Sequence, residues 1–152
     1  DHFAQHMTQA ITRSVLVPYS AREMYDLVCD VARYREFLPG CISSELVAAG
    51  ETEVIGRMAF TRLGMTQHLM SRNRLTPPSR IDIEHVEGPF DHLKAHWQFD
   101  VLQEKACKVT FSMEFAVGQR FVQFAVGAAV QQGANDTVEA FRKRAEQIYG
   151  KR

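Results

Sequence analysis

Charge of one sign is what this chain of 152 residues lacks most plainly, its 18 Lys plus Arg being matched by 18 Asp plus Glu. No global field draws it to nucleic acid or anionic lipid, so DNA is not an expected partner and only a local patch can bind phosphate. Cysteine is scarce as well. Cys29, Cys41 and Cys107 are odd in number and show no Cys-x-x-Cys spacing, which argues against a disulfide framework and thiolate metal sites and fits a reducing compartment. No apolar run approaches the roughly 18 residues that span a bilayer, and no basic region followed by an apolar one opens the chain. A soluble, cytoplasmic protein is the expectation. Repeats, low-complexity tracts and linkers are missing too, so residues 7–152 are read as one domain, long enough to bury on the order of 70% of its unfolded surface.

Residues 1–6, Asp-His-Phe-Ala-Gln-His before Met7, read as an expression-vector remnant and are set aside. Beyond them, Thr8 to Val17 reads as a strand that Pro18 ends. Ser20 and Glu23 then form a capping box, and Tyr19 and Met24 occupy the positions of a hydrophobic staple, so local chemistry fixes the entry of a helix. A second short helix through about Leu38 stops at Pro39-Gly40.

The period then changes to two. Val54, Gly56, Met58 and Phe60 share one strand face, and Leu69, Ser71, Asn73 and Leu75 share another. Thr76-Pro77-Pro78-Ser79 is a turn. Ile81, Ile83 and His85 follow on one face, before Gly88-Pro89. Alternation is cleanest where Leu93, Ala95, Trp97, Phe99 and Val101 oppose His92, Lys94, His96, Gln98 and Asp100, and Cys107 to Val117 repeats it. Such a pattern marks an antiparallel sheet with one dry face. Gln119 to Tyr149, free of proline and about 45 Å long as a helix, is the cover. Its second half carries a stripe of Val138, Phe141, Ala145 and Ile148, while its first half is apolar almost all round. Gly127 and Gly133 within it imply either close approach to the sheet or a ligand, or a kink.

Val17-Pro18-Tyr19-Ser20-Ala21, Met24-Tyr25, Asp30-Val31, Tyr34 and Phe37-Leu38-Pro39 together resemble the coenzyme Q-binding and ribosome association toxin proteins of the START-like superfamily. Arg72-Asn73, Gly88-Pro89-Phe90, Trp97 with Phe99, and Phe141 with Arg144-Ala145 extend the likeness to nearly the whole chain. The resemblance implies an α+β helix-grip fold, a curved antiparallel sheet wrapped around a long C-terminal helix, with two short helices after the first strand. It also implies a ligand space between helix and sheet. The expected function is non-catalytic binding of a polyprenyl quinone, ubiquinone above all, as a carrier for respiratory electron transport or quinone biosynthesis. No cofactor is required, and the quinone is the bound ligand.

Two other classes stand beside it. One is a ribosome-associating inhibitor of translation that binds the large subunit and blocks subunit joining; the other is a cyclase-like enzyme, for which no Ser/His/Asp or Cys/His constellation can be made from spacing. For a quinone, the candidate lining is Met58, Phe60, Leu69, Asn73, Trp97, Phe99, Phe115, Phe121, Phe124 and Ala128. Trp97 either stacks on a ring or fills the core. Asn73 either donates to a ligand carbonyl or bonds within the protein. Phe37, Leu38 and Pro39 are the candidate gate, touching the surface of a bacterial inner membrane. His92 and His96 fall on the wet face, His85 on the dry one. Arg142, Lys143, Arg144, Lys151 and Arg152 form a basic end, read as a solvated helix face in preference to an RNA site.

Overall fold

The computed structural model describes residues 8–62, 64–116 and 120–152, and the side chains among them outside 120–127. Strand β1 (Gln9–Val17) leads into helix α1 (Ala21–Cys29) and a 3-10 helix (Val31–Glu36). Six strands follow: β2 (Cys41–Ala49), β3 (Glu53–Arg62), β4 (Met65–Thr76), β5 (Arg80–Glu87), β6 (His92–Gln103) and β7 (Ala106–Ala116). Helix α2 (Arg120–Tyr149) closes the chain. The sheet has seven strands in the order β1-β7-β6-β5-β4-β3-β2, every pair antiparallel. Because β1 and β2 lie at opposite edges, α1 and the 3-10 helix must carry the chain across the concave face.

Local chemistry sets that crossing. Ser20 Oγ accepts from the Glu23 N–H at 3.1 Å, and the Glu23 carboxylate accepts from the Ser20 N–H at 2.9 Å, completing the capping box. Helix α1 buries Ala21, Met24, Tyr25 and Val28. The second short helix is 3-10 in form, and Ser44 of β2 anchors it, accepting from the Arg35 N–H and donating to the Ala32 carbonyl, each at 3.1 Å. Gly40 turns the chain into β2 with φ of 77°, where any Cβ would lie 2.9 Å from the Thr61 carbonyl oxygen.

Alternation on β6 and β7 is as the pattern predicts, with Leu93, Ala95, Trp97, Phe99, Cys107, Val109 and Phe115 all buried. Val101 departs from it in burial and is 71% exposed. It still pairs with buried Cys107 and keeps its parity, but it stands at the strand end, just before the β6–β7 register breaks. Over the sheet, α2 buries Ala134, Val138, Phe141 and Ala145, but Ile148, expected on the same stripe, is 52% exposed in the last turn of the helix. Close approach does not explain Gly133, since a Cβ there would meet nothing within 4 Å. Gly127 lies outside the described side chains.

The two ends of the α1–α2 pair are latched. Arg152 holds both Glu23 oxygens at 2.8 and 3.0 Å, Tyr149 Oη donates to the Glu23 carbonyl at 3.0 Å, and Tyr19 Oη donates to the Gly150 carbonyl at 2.6 Å. The guanidinium of Arg152, with the cap N–H, holds the Glu23 carboxyl down at about 2, against an ordinary 4.5. A depressed carboxyl stabilises the fold above the unfolded pKa and loses that contribution as pH falls through the folded one. The difference in melting temperature between the wild type and Glu23→Gln should therefore be full at pH 6 and shrink between pH 4.5 and about 2. A gap that stays constant across that window in thermal melts would exclude the ionic latch.

Candidate functional site

The concave face divides in two. Toward the C-terminal half of α2 it is filled by aromatic rings. Phe141, 1% exposed, meets Trp97 at 5.1 Å, Tyr34 at 5.4 Å and Phe37 at 5.1 Å, all edge-on, and Trp97 also packs on Phe111 at 4.6 Å. Phe99 stacks beside Trp97 and meets Tyr25 edge-on at 5.8 Å. Tyr34 Oη donates to the Val28 carbonyl, and burial pushes its phenol far above the usual range.

Beyond these rings, toward β3, β4 and β5, several inward apolar side chains are only half-buried, most of them packed against the edge of that core. Met58, Phe60, Leu69, Leu75 and Ile83 belong here. Among them stand three polar groups on adjacent strands. Ser71 and Asn73 are buried, and Ser71 Oγ donates to Asn73 Oδ1 at 3.0 Å. His85 pairs directly with Ser71 across β4 and β5. Its ring lies edge-on to Phe90 at 6.0 Å, and its Nε2 is buried with no hydrogen-bond partner among the described residues.

Each expected lining residue thus has a place. Trp97, Phe99 and Phe115 are packed in the core, Phe115 against Phe90 at 5.9 Å. Met58, Phe60, Leu69 and Asn73 share the concave face described above. Ala128 is exposed instead of enclosed, because it lies roughly 120° round the helix from Ala134 on the buried stripe. Phe121 and Phe124 lie outside the described side chains.

The gate needs correction. Leu38 does not face outward at a mouth. It is 8% exposed and belongs to the core, because its N–H bonds back to the Tyr34 carbonyl at 2.8 Å and turns the side chain inward. Phe37 is held between Phe141 and the Arg144 guanidinium, which lies 4.9 Å from its ring. Pro39 is exposed. Outside Phe37 and Pro39 runs a groove of about 430 Å³, lined also by Glu36, Glu139, Ala140, Lys143 and Arg144.

Chemically reactive groups are few. Burial pushes the Cys29 and Cys41 thiols up and that of Cys107 to about 11, so little thiolate exists near neutral pH. His92 lies 3.3 Å from Glu114 on the convex face, and burial lowers the pKa of His96 nearby. Among the described residues no three His, Cys, Asp or Glu side chains are arranged to hold a metal ion, and no helix is long and apolar enough to cross a membrane. Sequence reasoning passed over Ser71, although it shares the inward register of Asn73, and could not assign Arg13. That arginine projects from β1 to Asn135 of α2 and also bonds the Thr12 carbonyl at 2.8 Å.

A curved antiparallel sheet closed over a long terminal helix defines the helix-grip, START-like class. Residues 17–142 match the family described as polyketide cyclase / dehydrase and lipid transport, and the chain belongs to that family. The chain is 40% identical to the ribosome association toxin RatA of Pseudomonas aeruginosa, over 95% of its own length and 100% of the relative. It is 22% identical to the mitochondrial coenzyme Q-binding protein COQ10 homolog B of Xenopus laevis, over 92% of this chain and 59% of that one. The Zhui aromatase/cyclase of Streptomyces superposes with a TM-score of 0.88 at 17% identity, covering 94% of this chain and 96% of the other, which shows the fold alone.

The burial of Leu38 yields a paired test. Leu38→Asp should lower stability by about 3 kcal/mol or more in urea unfolding, since it places an unpaired charge in the core. Pro39→Asp next to it should change stability by no more than about 0.5 kcal/mol. Equal effects at the two positions would contradict the inward turn.

Proposed function

We propose that this chain associates with the ribosome and restrains translation by occupying the large subunit so that the small one cannot join. The observation that carries the reading is 40% identity along the whole chain to a relative named as a ribosome association toxin. Cytoplasmic residence follows from that role.

The arrangement of charge bears on how such binding works. Arg142 lies 2.9 Å from Glu146 and 2.5 Å from Glu139, Arg144 lies 2.8 Å from Glu36, and Arg152 is held by Glu23. Of the five basic residues at this end, three are thus already neutralised by carboxylates within the protein. A ribosome contact dominated by phosphate would need several free cations and would weaken steeply with salt. Shape and polar contacts fit this surface better. In gradient sedimentation the protein should comigrate with isolated large subunits and lower the yield of joined ribosomes, and Lys143→Glu should change binding less than about threefold. Failure to comigrate with large subunits at any salt would overturn the reading.

A second function is favoured by the half-buried apolar residues of β3 to β5 and by the lipid-transport description of the family. The concave face is proposed to hold an apolar ligand of the prenylquinone kind, as a carrier and not a catalyst, exchanging it at a membrane surface. Burial of an apolar body at roughly 25 cal/mol per Å² supports micromolar affinity after the costs of association. Protein purified from a quinone-producing host should release near-stoichiometric prenylquinone on organic extraction and mass spectrometry, above a mock-purified control. Protein that is empty and takes up no added quinone would remove the carrier role and leave ribosome association standing.

A further inference from the structure

We infer that Asn73, oriented by Ser71, and His85 form a polar head-group subsite on the concave face, built for an apolar ligand that carries a ring carbonyl. The inference rests on the ligand-holding reading above and specifies which end of the ligand the protein recognises.

The chemistry begins with Ser71. Its hydroxyl donates to Asn73 Oδ1 at 3.0 Å, in a place where both residues are buried. That bond occupies the acceptor end of the amide and leaves the two N–H donors of Asn73 to the face it shares with Leu69 and Leu75. The neighbouring inward side chains Leu69, Leu75, Ile83 and Val54 offer these donors no acceptor, and the amide nitrogen is not sealed off from accessible space.

His85 adds a second point. It stands opposite Ser71, two rungs from the Asn73–Ile83 pair, so both polar groups lie on the same face of adjacent strands. Its Nε2 is buried and unpartnered among the described residues. Gly88 closes over it: a Cβ there would lie 2.8 Å from Nε2 and 3.0 Å from Leu69 Cδ1. Glycine at this position, together with the edge-on Phe90 ring, leaves the imidazole end beside the apolar lining instead of displacing it. Neutral imidazole either donates or accepts at Nε2, depending on its tautomer.

The set therefore offers fixed N–H donors and one adaptable nitrogen within an apolar wall. Donors aimed from Asn73 select an acceptor, hence a carbonyl over a hydrocarbon of the same shape. An apolar residue at position 73 would fill the same space without presenting donors.

The test reads quinone binding by quenching of Trp97, the single tryptophan, and the binding of a second, oxygen-free probe by its competition with the quinone. The quinone is a decyl-substituted dimethoxy-methyl-benzoquinone; the second probe is a decylbenzene of similar size without oxygens. Asn73→Leu and His85→Phe should each weaken quinone binding about tenfold, the worth of one buried hydrogen bond, and leave decylbenzene binding within about twofold. Ser71→Ala, which frees the amide to turn, should weaken quinone binding by a smaller factor and likewise spare decylbenzene. Variants that bind the quinone as tightly as the wild type, or lose both probes equally, would overturn the subsite while leaving ligand binding intact. A wild type that binds neither probe would overturn the ligand reading and the subsite with it. Were Asn73→Leu to fail to fold, as thermal melts would show, His85→Phe and Ser71→Ala decide the matter alone.

Discussion

Phe141 meeting Trp97 is the contact on which the rest of the molecule depends. One ring comes from the long C-terminal helix and the other from the middle of the sheet, and both are almost wholly buried. Tyr34 and Phe37 reach the same ring from the chain segment that crosses between the sheet edges. Three layers that are remote in sequence therefore share a single aromatic junction, whose edge-on geometry adds to the area it buries. Where the junction ends, packing loosens, and the half-buried side chains of β3 to β5 begin. The proposed ligand site falls on this looser part.

Electrostatics acts in the opposite sense, by cancellation. The convex face repeats what the helix end shows: Arg57 with Glu45 at 2.8 Å, Arg72 with Glu53 at 2.6 Å, and Arg80 with Asp82 at 3.0 Å. Exposed pairs of this kind contribute little to stability. Their consequence is the absence of a strong local field at those places, which turns partner choice over to shape and to directed hydrogen bonds. Part of the balanced sequence charge is thus also cancelled locally, in pairs.

Local signals were the legible ones. The Ser20–Glu23 box, the two-residue period of β6 and β7, and the stripe of Val138, Phe141 and Ala145 each lie within one element and follow from spacing alone. The inward placement of Asn73 followed from parity in the same way. Leu38 was misread because its direction depends on a turn bonded back to Tyr34, and Val101 because parity says which face a residue is on but not whether anything covers it at the strand end. Contacts such as Arg144 with Glu36, or Arg13 with Asn135, join residues more than 100 positions apart and have no signature in spacing. For the same reason the basic end read as a cluster of cations, although most of it is paired.

The two proposed functions, ribosome association and ligand holding, make different demands on one small fold. The aromatic junction fixes the helix to the sheet at the end where Arg152 also latches α2 to the cap of α1, which offers a firm outer surface for the proposed contact. The half proposed to face a ligand is less tightly packed, but its half-buried Met58, Phe60, Leu75 and Ile83 lie against the same core cluster as Trp97 and Phe141. A ligand seated over Ser71, Asn73 and His85 would therefore be felt at the junction through those side chains. Coupling between the two proposed functions would pass through that packing and along β5, where Ile81 beside Trp97 and His85 beside Ser71 belong to one strand.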